Sequence, residues 1–218
     1  MATFSGNVQY EADARRPTLT YPVTHTPIGP CLIINVARFD NKRPFADRAG
    51  SVHDVAAAMA CFEGIGFAVE ALEPRPSSVE IKRAVRELAR ADHEATDCVV
   101  VCVMSRGVEA GTYFFGSDNE PVALRELVET LAASDGLRGV PLLVFAQFDD
   151  EAALGDAADA AAAARAPDAD EWSAPADAFV AHCAPQTRER FREGRDGSFF
   201  WQNLTGWLSA SASDPRGP

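Results

Sequence analysis

Cys98-Val-Val-Val-Cys-Val-Met104 runs without a charge and stops at Ser105-Arg106-Gly107; Pro141-Leu-Leu-Val-Phe-Ala-Gln147-Phe148 stops in the same way at Asp149-Asp150-Glu151. Apolar runs of this length read as strands buried on both faces, the situation of a parallel sheet with helices on either side. In open α/β sheets the carboxyl edge of such strands is where sites form. The two polar stops are therefore the first places to look for chemistry.

Working outward, Pro30 to Val36 reads as a first strand and Gly66 to Leu72 alternates like a second. Ser51 is a candidate cap for a helix through Glu63, with Val55, Ala58, Met59 and Phe62 on one face. Ser78 to Ala91 spaces Val79, Ile81, Val85 and Leu88 as the inner face of a second helix. Gly111 to Gly116 suggests a small hairpin, and Pro121 suits the first position of a third helix running to about Ala133. Ala178 to Cys183 is a fifth strand, and Gly197 to Leu208 an amphipathic helix. Strands alternating with helices imply an α/β fold, a mostly parallel central sheet flanked by helices. The expected organisation is a short extended leader at 1–27, a main segment at 28–149, an acidic Ala-rich linker at 150–175, a second segment of the same domain at 176–208, and a small polar tail at 209–218.

Composition narrows the function. The chain has 218 residues, 47% of them apolar and 24% charged, as in an ordinary soluble globular domain. A net charge of −12 argues against nucleic acid or an anionic membrane as a partner. The acidity is local: Asp149 to Glu171 holds eight acids and one base, Arg165. Nothing near Met1 has the form of a signal peptide, and no apolar run approaches membrane-spanning length. Cys31, Cys61, Cys98, Cys102 and Cys183 form no CxxC pair, which points to reduced, packed thiols in the cytoplasm rather than disulfides or a zinc site. No cofactor or metal is expected.

Several segments together resemble the caspases, in order and spacing, over roughly residues 21–208. They are Cys31-Leu-Ile-Ile-Asn35 with Phe39-Asp40; Arg48-Ala-Gly-Ser-Val-His-Asp54, like the family's R-x-G-[ST]-x-x-D; Cys61 to Phe67; Ala91-Asp92-His93 and Asp97-Cys98; Ala176-Asp177; and Asp196-Gly-Ser-Phe-Phe200. The lack of a long N-terminal adaptor resembles the short-prodomain effector branch. The resemblance implies a caspase-like fold in which 28–149 is large-subunit-like and 176–208 small-subunit-like. It also implies a cysteine protease with a His–Cys dyad at the two strand ends.

Here the His of Ser-His-Gly is Arg106, and the Cys of Gln-Ala-Cys-Arg-Gly is Asp149. An arginine does not accept protons near neutral pH, and a carboxylate is a poor nucleophile towards amides. Losing both members of a dyad removes most of the rate enhancement. The resemblance thus implies a catalytically inactive homologue, no catalytic residues, and regulation of apoptosis through binding an active caspase or an inhibitor-of-apoptosis-type protein, as decoy or modulator. The alternative is a divergent endopeptidase cleaving after Asp, or an inactivated form of one.

By motif matching, the family's aspartate pocket falls on Arg48, Gln147 and Arg192, so an aspartate-containing peptide is a candidate ligand. Two guanidiniums converging on one carboxylate would give charge-assisted bonds. Glu189, Arg190 and Phe191 alter the neighbouring subsites. Arg106 and Asp149 are expected within salt-bridge distance, and Asp149 or Asp150 could reach Arg192 as an internal mimic of substrate. The linker offers Asp156, Asp159, Asp168 and Asp170 but no Asp-x-x-Asp site, so little processing is expected. The family's final helix and strand have no counterpart after Leu208, which puts a family-type homodimer in doubt and leaves the fifth strand as an edge. Ala2-Thr-Phe-Ser5, once Met1 is removed, is a weak match to peptides that inhibitor-of-apoptosis grooves capture.

Overall fold

Alternating apolar residues on three central strands feed two separate cores, one on each side of a single sheet. The computed structural model describes residues 21–40, 47–108, 113–150, 173–183 and 197–212; for Val108, Asp149 and Asp150 it describes the backbone. The strands are β1 (Pro30–Asn35), β2 (Ala68–Leu72), β3 (Val99–Val108), β4 (Tyr113–Phe115), β5 (Pro121–Ala123), β6 (Leu142–Asp150) and β7 (Ala178–Cys183). The helices are α1 (Ser51–Ile65), α2 (Ser78–Arg90), α3 (Leu124–Ala132) and α4 (Phe199–Ala212), with one 3-10 turn at Asp135–Leu137. Strands β2, β1, β3, β6 and β7 lie side by side in that order, every pair parallel. The antiparallel hairpin β4–β5 attaches to the end of β3 at Gly107 and Val108.

On one face Val99, Val101 and Val103 of β3 meet Ile81 and Val85 of α2 and Leu127, Val128 and Leu131 of α3. On the other, Val100, Cys102 and Met104 meet Val55, Ala58 and Phe62 of α1 and Trp201 of α4. The near-continuous apolar run of β3 is thus divided residue by residue between two layers of helices. Gly107 lets the hairpin close: a Cβ there would lie 2.8 Å from the Phe148 ring and 2.7 Å from the Tyr113 carbonyl oxygen. Phe148 stacks on Phe114 at 5.4 Å between ring centroids, and the Ser105 hydroxyl donates to the Phe115 carbonyl at 2.6 Å.

Several sequence expectations are corrected. Pro121–Ala123 is strand β5, paired with Tyr113–Phe115, and α3 begins only at Leu124. Gly50, not Ser51, caps α1; the Ser51 hydroxyl instead donates to the Arg48 carbonyl at 2.7 Å. Ser77 caps α2 in a capping box with Glu80. Val79 is 67% exposed because it lies off the stripe set by Ile81 and Val85. His93 is buried, with Nε2 at 2.8 Å from the Leu88 carbonyl, a backbone acceptor in the last turn of α2. Helix α4 continues through residues 209–212, which the sequence assigned to the tail. Linker residues 151–172 and the loop that carries Arg192 lie outside the described residues.

Candidate functional site

The carboxyl edge of the sheet gathers polar side chains from four segments on the α1/α4 face. Register aligns Asn35 of β1, Met104 of β3 and Gln147 of β6 in one row. Arg106 follows Met104 by two and so takes the same face. Asn35, Arg106 and Gln147 are all buried there.

Arg48 reaches this row from the turn before α1. Its backbone is held from both sides: its N–H donates to the Ala37 carbonyl at 2.7 Å, and its own carbonyl accepts from the Ser51 amide at 2.9 Å. From that fixed point the guanidinium spans the sheet edge. Nη2 donates to Gln147 Oε1 at 2.9 Å; Nη1 donates to Asn35 Oδ1 at 3.1 Å and to the Val36 carbonyl at 3.3 Å. Asn35 passes the link on, its amide donating to Glu73 Oε2 at 3.1 Å just beyond β2. Arg48 is 0% exposed and Gln147 1%. An incoming carboxylate meets the guanidinium only once covering groups shift. A buried arginine in such a frame is tolerable because good acceptors surround it.

The sequence expectation that Arg48 and Gln147 converge is therefore met in direct contact, whereas Arg192 lies outside the described residues. Arg106 and Asp149 occupy directly opposed positions on the adjacent parallel strands β3 and β6. The expected ion pair turns on the Asp149 side chain, which is outside the description. Sequence reasoning assigned no role to Asn35 and Glu73, whose only signal was a polar residue ending an apolar strand. It also gave none to Asp54. That carboxylate is buried and accepts from the Ser198 amide at 2.6 Å, tying the start of α1 to the start of α4 across 144 residues of chain.

The thiols are placed for packing. Cys31, Cys61 and Cys102 are buried, and no cysteine is in a disulfide. Burial, with Cys31 beside it, pushes the Cys102 thiol well up. Burial, helped by Cys31 and Asp97, pushes Cys98 up to about 11. Such thiols carry little thiolate and are poor nucleophiles. Among the described residues no group of three or more His, Cys, Asp or Glu side chains could hold a metal ion. No described helix is long and apolar enough to cross a membrane.

The model of the caspase domain matches residues 28–216, most of the chain. The chain belongs to the caspase family. Human caspase-9 is 32% identical over 136 residues, which is 59% of this chain and 32% of that protein. Chicken (Gallus gallus) caspase-7 is 29% identical over 134 residues, covering 60% and 42%; mouse caspase-8 is 26% identical over 148, covering 64% and 30%. The aligned part thus spans between 30% and 42% of these relatives' own length. A solved structure described as pro-sf-caspase-1 superposes with a TM-score of 0.70 at 24% identity, over 88% of this chain and 76% of its own. That likeness establishes the caspase fold for β1–β7 and α1–α4.

Proposed function

We propose that this caspase homologue is non-catalytic and acts by binding. The observation that carries the proposal is the register of β3 and β6, which sets Arg106 opposite Asp149 where motif matching puts the family's general base and nucleophile. An arginine in that place supplies no proton acceptor, and a carboxylate supplies no thiolate. The neighbouring Arg48–Gln147 contact, by contrast, keeps two of the three residue types matched to the aspartate pocket. Loss of the reacting groups beside a retained recognition pair supports a protein that engages what its relatives engage. The partner we propose is an active caspase or an inhibitor-of-apoptosis-type protein, with an aspartate-containing peptide segment as the point of contact. The role is a decoy or modulator of cell death in the cytoplasm, where thiols such as Cys31 and Cys102 stay reduced.

The test is an assay of the purified chain on aspartyl reporter peptides, alone and added to an active caspase with and without a protein inhibitor. The expected result is no turnover alone and a changed rate in one of the mixtures. Turnover by the chain alone would support the divergent endopeptidase instead. No effect in any mixture would remove the regulatory role.

A further inference from the structure

The end of the sheet opposite the site carries a cleft of about 120 Å³, set between the amino ends of β3, β6 and β7 and the end of α3. Its floor is apolar: Val99, Leu131, Leu137 and Leu142 line it and are buried. At roughly 30 Å³ per water the volume equals about four waters, the scale of a branched four-carbon group. Two small residues of the lining, Ala132 and Gly139, are exposed. Gly139 has φ +77, and nothing lies within 4 Å of where its Cβ would stand. On that side the cleft opens to solvent.

Two charged residues line this cleft, Arg138 and Asp177. Arg138 is neutralised on the spot: its Nη2 donates to Asp135 Oδ1 at 2.8 Å, and both of those side chains stand in solvent. Asp177 is exposed and lacks such a partner. Its Oδ1 accepts from the Tyr21 phenol at 3.0 Å, a neutral donor, and among the described residues no cation pairs with it. An uncompensated carboxylate therefore stands beside an apolar recess. The Tyr21 ring, held at the same carboxylate, is a second group that attracts cations. An anion would be repelled by Asp177, and a neutral hydrocarbon would leave that charge unused.

We propose that the cleft binds a small primary alkylammonium ion, with a branched four-carbon group in the apolar recess and the ammonium donating to Asp177 at its rim. Volume sets the size of the apolar group, and the unpaired carboxylate sets the sign of the charge. The bond to Asp177 is charge-assisted, which fixes the ligand's orientation with the ammonium outward. This inference does not rest on the aspartate-pocket reading.

The test titrates the full chain with 2-methylpropylammonium chloride and follows the methyl NMR signals of Val99, Leu131, Leu137 and Leu142. Saturable shifts confined to these methyls are expected, with half-saturation at about 1–10 mM, within reach of so small a ligand. The matched alcohol, 2-methylpropanol, and the matched anion, 2-methylpropanoate, should each bind about 10-fold more weakly or not at all. Asp177→Asn should weaken the ammonium about 10-fold, the size of one hydrogen bond to a charged group, and leave the alcohol unchanged. Ala132→Trp, which fills the exposed side of the cleft, should abolish the shifts for both. Shifts that do not saturate, that spread over other methyls, or that are equal for ammonium and alcohol would overturn the proposal. So would an Asp177→Asn chain that binds the ammonium as the parent does. A peptide with an N-terminal leucine that binds where the free amine does not would overturn the small-molecule assignment.

Discussion

Gly197→Ala should loosen the join between the two halves of the fold, and its cost follows from two distances and an angle. Gly197 has φ +80, and a Cβ built on it would stand 2.3 Å from Asp54 Oδ1. The left-handed backbone alone costs an L-residue about 1–2 kcal/mol. Asp54 cannot stay where it is, yet it is 2% exposed and its Oδ1 accepts from the Ser198 amide at 2.6 Å. A hydrogen bond to a charged group contributes about 1.5–3 kcal/mol. The expected loss is therefore about 3–5 kcal/mol, or roughly 6–20 °C in Tm for a chain of this size. Equilibrium urea unfolding, followed by circular dichroism and by the fluorescence of the buried Trp201, reads it directly. Gly64→Ala is the matched control, since nothing lies within 4 Å of its Cβ and it sits in α1. That variant should gain about 0.5–1 kcal/mol. A Gly197→Ala protein within 1 kcal/mol of the parent would refute the reasoning that Asp54 locks α4 to α1.

Three further outcomes are expected. Arg48→Lys keeps the charge but loses the fork that spans Asn35 Oδ1 and Gln147 Oε1; each buried acceptor left bare costs about 1–3 kcal/mol, so a urea midpoint unchanged from the parent would contradict the bridging role. Cys98, pushed up to about 11 by burial, holds roughly one thiolate in a thousand at pH 8, so alkylation followed by mass spectrometry should label it far more slowly than a model thiol. Asp97 is desolvated by burial, but the amides and side chains of His25 and Thr24 hold its carboxyl well below the usual carboxylate range. A depressed folded value means that the contribution of these hydrogen bonds is present above the unfolded value near 3.9 and lost only as pH falls through the folded one. The 13C shift of the Asp97 side-chain carboxyl should therefore show no protonation step near the unfolded value and change only at lower pH; a midpoint near the unfolded value would contradict these hydrogen bonds.

What the sequence made legible follows from which signals are local. Strands β3 and β6 were readable because an uncharged run bounded by polar residues has one economical explanation. Arg48 and Gln147 were readable through family motifs, and they do meet. Asn35 was not, because its partners Arg48 and Glu73 are 13 and 38 residues away and only the sheet brings them together. Pro121 was misassigned because proline suits both the first turn of a helix and the first residue of a short strand. Pairing with Tyr113–Phe115 decided between them. Ser51 satisfied the composition rule for a cap, but Gly50 holds that position while the Ser51 side chain is engaged by Arg48.

The central claim is that a caspase fold with Arg106 opposite Asp149 binds without cutting. Its most direct test is hydrolysis of an aspartyl reporter peptide by the purified full chain, before and after thiol alkylation. The account predicts a rate no higher than buffer in both samples. Reporter release that alkylation abolishes would contradict it.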